Sequence, residues 1–176
     1  MVTEEPVEPG SAATEAAKAY LRVEGNDEDG LIGSLVASAA SLCEAFTGQA
    51  LMRRGFSETA ERSGCWQRLG RTPVAAVTAV EEARPDGSYT PVPAASYAVD
   101  IDANGDGWVR VDSAVRRVRV AYQAGLAADW DALPETLRQG IIRLAAHLYT
   151  QRTDAHAAPP AAVTALWRPW RQMRLR

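Results

Sequence analysis

The spacing of apolar residues changes period twice along this chain, and that change restricts the fold more than any single motif. Up to Thr47 apolar residues recur at helical spacing, between Ala50 and Tyr122 they alternate, and from Leu137 the helical spacing returns. A helix carrying one apolar stripe cannot bury it alone, so the helices on either side of the alternating stretch must pack together. The chain reads as α+β: a small helical bundle of two long helices plus a short N-terminal helix, with an inserted antiparallel β region and an extended or helical C-terminal tail.

The boundaries follow from breakers and caps. Residues 1–11 hold two prolines, a glycine and three glutamates and read as a loose acidic arm. A first helix is expected over 12–23, presenting Ala13, Ala17, Tyr20 and Leu21 on one side, before "EGND" breaks it. A second is expected over 27–47, capped by Asn26, with Asp27, Glu28 and Asp29 on its N-terminal dipole and a stripe of Leu31, Leu35, Ala39, Leu42 and Phe46. In the β region, 50–122, the best strands are Val77 to Glu81, Tyr97 to Ile101, Trp108 to Val111 and "VRRVRVAY", where Val118, Val120 and Tyr122 alternate with Arg117, Arg119 and Ala121. A third helix is expected over 135–152, opened by Pro134 and striped by Leu137, Ile141, Leu144, Ala145 and Leu148. Residues 12–158 thus read as a single domain, and "TDAHAAPP" as a linker to a tail over 159–176 that Pro169 kinks and that is dense in Trp and Arg.

Composition narrows the function. At 47% hydrophobic with five tryptophans the chain is too apolar for disorder, and no apolar run approaches the roughly 18 residues of a bilayer span, so no membrane is expected. Residues 1–30 hold eight acids and two bases, whereas 138–176 hold seven arginines and one acid, Asp154, so the two ends are electrostatic opposites, which reads either as solvated surface alone or as attraction between unlike ends of neighbouring subunits or partners. Cys43 and Cys65 form no CxxC and read as buried thiols, while His147 and His156 add no ligand spacing; no metal or cofactor is expected. There is no GxSxG, P-loop or HExxH, and His147 borders the apolar stripe of the third helix as a packed residue would, so the chain does not read as an enzyme.

One stretch, "DIDANGDGWVRVD" at 100–112, opens like a calcium loop, with Asp102, Asn104 and Asp106 at alternate positions ahead of Gly107. A loop begun at Asp102 needs a chelating Glu at its twelfth position, where Ser113 stands, and its ninth is Arg110. Flanked by two alternating segments, Asn104-Gly105 and Asp106-Gly107 read as a hairpin turn.

The order of segments resembles the head-tail connector, or adaptor, proteins of tailed bacteriophages and phage-derived gene transfer agents. "EAAKAYLRVEGNDEDGLIGSLVASAASLCEAFTGQAL" is similar to that family's opening, "RLGRTPVAAVTAVEEARPDGSYTPVPAASYAVD" to its middle, and "VRVAYQAGL" with "LPETLRQGIIRLAAHLYTQR" and "PPAAVTALWRPWR" to its close. The arm before Ala12 and the length of the 100–112 turn depart from it. The resemblance implies a structural virion protein of the neck, made in the bacterial cytoplasm: a homo-oligomeric ring of about twelve beneath the capsid portal, enclosing the DNA exit channel. The implied partners are the portal protein, a tail-side stopper or tail-terminator protein, and DNA contacted non-specifically in the channel. It puts portal docking at the tail, where Trp167, Arg168, Trp170, Arg171, Arg174 and Arg176 supply interface-prone residue types. The alternative reading is a DNA-end or tail-assembly binding module using the same arginines.

Overall fold

A computed structural model describes residues 2–61, 64–112, 117–151 and 160–172. The chain is α+β with antiparallel sheets. It divides into two compact units: a β unit of 1–6 and 53–126, and a helical unit of 7–52 and 127–176. The change of apolar period therefore coincides with a boundary between cores.

In the helical unit, α1 (Gly10–Leu21) and α2 (Asp29–Thr47) are followed, after the β unit, by α3 (Glu135–Thr150) and α4 (Ala161–Trp167). α2 packs against both α1 and α3. The stripe expected on α3 is buried at Leu137, Ile141, Leu144 and Ala145, while Leu148 is half-buried. On α2 the stripe is corrected by one position: Ile32, Val36, Ala39, Ala40 and Cys43 are buried, whereas Leu31 and Leu42 are exposed. The helix is apolar nearly all round, so the pattern alone did not single out the packed side. The expected Asn26 cap is also replaced. Glu28 holds the N-cap position without a side-chain bond to the helix's own N–H groups, its carboxylate instead accepting from the Tyr149 hydroxyl, and Asn26 accepts from the Lys18 ammonium at 3.1 Å. Lys18, buried between Glu15 and Asp29, pairs with them at 3.3 and 2.6 Å, and the Asp29 hydrogen bond holds its ammonium above the usual lysine range.

The β unit has a five-stranded sheet ordered β1 (Val2–Glu4), β2 (Arg54–Glu61), β8 (Arg117–Ala124), β4 (Val74–Ala83), β5 (Tyr89–Pro91), and a three-stranded sheet of β3 (Gln67–Arg68), β7 (Gly107–Val111) and β6 (Tyr97–Ile101). On β8, Val118, Val120 and Tyr122 are buried in alternation with more exposed neighbours, as its sequence pattern requires. β2 carries the weak alternation "RGFSETAE" and escapes sequence reading, yet it pairs with β8 along its whole length. The arm, read as loose, supplies β1: Val2 to Glu4 pair with β2, the Gly55 N–H donates to the Glu5 carboxylate at 3.0 Å, and Arg71 pairs with Glu4 at 2.7 Å. The edge of β2 and these polar contacts hold a strand whose residues Val2 to Glu4 all remain exposed.

Beneath the large sheet the Tyr122 hydroxyl donates to Glu58 and accepts from the Arg71 N–H at 3.1 Å; burial, then the Glu58 contact, pushes its pKa up. Phe56 stacks on the Tyr122 ring at 5.6 Å.

Candidate functional site

The tail begins after Pro160, whose extended backbone leads into α4. Two residues of α4, Val163 and Trp167, are buried. The indole of Trp167 lies over Gly140 of α3, where an added Cβ would sit 2.1 Å from Nε1, so only glycine leaves the notch open. Nε1 donates to the Leu137 carbonyl at 3.5 Å, and the ring meets Phe46 of α2 at 6.0 Å between centroids. The residue is thus held against both long helices. A 3-10 turn, Arg168–Trp170, follows and accommodates Pro169 near its start. Trp170 is half-buried, its Nε1 donating to Thr136 Oγ1 at 3.0 Å and its carbonyl accepting from Gln49 Nε2. The Arg171 guanidinium stands 5.6 Å over the Phe46 ring, and the Gln172 N–H donates to the Thr47 carbonyl at 2.8 Å.

The expected docking set is therefore split. Trp167 is core rather than surface, because burying an indole of that area in a fitted notch is more favourable than holding it in water for a partner. Arg168, Pro169 and Arg171 are exposed, with Trp170 beside them half-covered. Arg174 and Arg176 lie outside the described residues. Sequence reasoning missed Gly140 and Phe46 as the receptors for Trp167. The signal was present, since a glycine inside a helix costs about 1 kcal/mol relative to alanine and calls for a packing reason.

The 102–106 stretch forms the β6–β7 hairpin turn. One Asp102 carboxylate oxygen accepts from the N–H groups of Asn104 and Asp106 at 2.8 and 2.9 Å, and Arg68 pairs with Asp106. The Asp106 amide is the chief cause of a lowered Asp102 pKa. Gly105 takes φ +77°, and a Cβ there would lie 2.6 Å from that of Pro73. Turn geometry thus accounts for these carboxylates, and among the described residues no group of three or more His, Cys, Asp or Glu is placed to hold a metal ion. Cys43 is buried, and desolvation pushes its thiol up, away from the thiolate; Cys65, expected to be buried, is exposed.

No family model matches the sequence, and no curated protein matches it. Solved structures do. A chain in the neck of an empty gene transfer agent particle, the neck computed with C6 symmetry, is 33% identical with a TM-score of 0.81, covering 100% of this chain and 97% of that one. The virion of a native gene transfer agent particle contains a match at 32% identity and TM-score 0.78, and the neck of a native particle in C12 symmetry one at 33% and 0.76, each with the same coverage. The chain belongs to the neck proteins of gene transfer agent particles. As a neck protein it is a structural component of the virion, located at the neck. Its full-length match includes both the β unit and the tail, so neither is an addition to the neck-protein fold. Arg168 and Arg171 are exposed on a tail that Trp167, Trp170 and Gln172 tie to α3 and to the end of α2.

Proposed function

We propose that this neck protein is the adaptor: a ring of about twelve copies beneath the portal that links head to tail and encloses the DNA exit channel. The reading is supported above all by the full-length likeness to chains of gene transfer agent necks computed with C6 and C12 symmetry. The portal is contacted by the C-terminal corner, through Arg168, Trp170 and Arg171, with Arg174 and Arg176 beyond the described residues continuing the same chemistry. Trp167 acts from inside, setting the angle at which that corner leaves the core. On the far side the ring meets a stopper or tail-terminator protein, and in the channel it touches DNA without reading its sequence.

The test is co-expression with the portal protein. Wild type co-purifies with the portal and yields rings by electron microscopy. The variant Arg168→Glu keeps its thermal midpoint, and the double variant Arg168→Glu, Arg171→Glu loses the Arg171 contact with the Phe46 ring yet stays folded. The double variant loses portal binding by about tenfold or more, as charge reversal at a contact does. Undiminished portal binding by the double variant removes the tail from the interface. Tight binding of wild type to free duplex DNA ends at moderate salt, with no affinity for the portal, establishes the DNA-end module instead.

A further inference from the structure

Helix α2 has two apolar sides, and among the described residues only one of them is covered. Opposite the buried stripe of Ile32, Val36 and Cys43, the residues Gly30, Leu31, Ser34, Ser38, Ser41 and Leu42 are exposed. At about 100° per residue they fall within one arc of about 140°, completed by the half-buried Leu35. Charged residues make up 23% of the chain, yet none occurs from 30 to 43. By length and composition alone the helix would pass for a membrane span, with a mean hydropathy of 1.4, although the sequence shows no unbroken apolar run of that length.

This face can go dry at little cost. Ser34 Oγ donates to the Leu31 carbonyl at 2.7 Å, Ser38 Oγ to Ser34 at 2.9 Å and Ser41 Oγ to Ala37 at 3.0 Å. Each hydroxyl hydrogen is thus satisfied within the helix and leaves no donor that demands water. Between the leucine side chains, 38% exposed at Leu31 and 47% at Leu42, the glycine and serines leave shallow grooves in which another element can approach closely. An ordinary surface helix carries charge on its outer side. This one is finished like an interior helix, and no described residue of the chain covers its outer side.

We propose that the outer face of α2 seats an adjacent copy of this chain in the neck ring. The inference rests on the ring reading above. Similar chains belong to necks computed with C6 and C12 symmetry, which repeats each chain around one axis and in a closed ring would set identical copies side by side. A face without a cation offers nothing to the phosphates of DNA. Insertion into lipid would require α2 to leave α1 and α3, against which its other side is packed. In a closed ring the contact is between unlike surfaces, so the α2 face meets a different face of its neighbour rather than another α2.

The experiment places a photo-crosslinking amino acid at Leu42 in particles assembled in cells. The expected product is a covalent dimer of this chain whose adduct, mapped by mass spectrometry, lies outside α2 of the second copy. An adduct to another neck protein, to lipid or within one chain overturns the proposal, as does the absence of any adduct. In parallel, Leu42→Arg and Ser38→Glu each keep the wild-type thermal midpoint and enter necks less by about tenfold or more. Incorporation of both at the wild-type level also overturns it. Wild type is scored beside them: if it forms no ring, the adaptor reading itself fails, whereas wild-type rings with indifferent variants sink only the α2 contact.

Discussion

Gly140 and Trp167 show how one residue without a side chain can position a whole segment. Two effects oppose each other in Gly140→Ala: about 1 kcal/mol of improved helix propensity, and the overpacking of a Cβ into a buried indole, about 1–3 kcal/mol. At 2.1 Å from Nε1 of a residue only 2% exposed, the clash wins. The variant should lower the urea midpoint and redden the tryptophan emission as Trp167 leaves its notch; a midpoint equal to or above wild type would mean that the indole does not need the gap. Asp102 provides a second test at this scale. Its folded pKa is lowered from 3.8, so its contribution is present above the unfolded pKa and is lost as pH falls through the folded value. The stability gap between wild type and Asp102→Asn should therefore be constant near neutrality and close progressively below about pH 4. A gap unchanged down to about pH 2 would show that the carboxylate's charge is irrelevant to the turn.

Among the elements, α2 separates composition from direction. Its sequence announces a helix at every position, but Leu31, Leu35 and Leu42 and the set Ile32, Val36 and Cys43 are both apolar lines at helical spacing. Larger side chains favoured the first line in the sequence reading, whereas packing against α1 and α3 chose the second. Ile32→Ala should accordingly cost about 2–5 kcal/mol, and Leu42→Ala under about 0.5 kcal/mol in the isolated chain, by denaturant titration. Equal costs at the two positions would place the core elsewhere. The tail illustrates the same distinction. Its aromatic and basic composition suggested an anchor for a partner, while Val163 and Trp167 show that one side of it belongs to the chain's own core and leave Arg168 and Arg171 outward.

For the whole molecule, the acidic first 30 residues and the arginine-rich segment from 138 onward suit attraction between neighbouring copies or unlike partners. Contacts of that kind are screened, so raising salt from about 50 to about 500 mM should shift neck assembly toward free subunits, measured by sedimentation. Assembly that strengthens with salt would instead make apolar faces such as that of α2 dominant. The alternation of period, the helix breakers, the hairpin turn and the strand pattern of 117–122 could all be read without coordinates, because each depends on neighbours within a few residues along the chain. The pairing of the N-terminal arm, the strand β2, the packed side of α2 and the division into two units could not. Each depends on which distant surfaces meet, and where a segment has no apolar period or has two, its own residues leave that choice open until the rest of the fold closes around it.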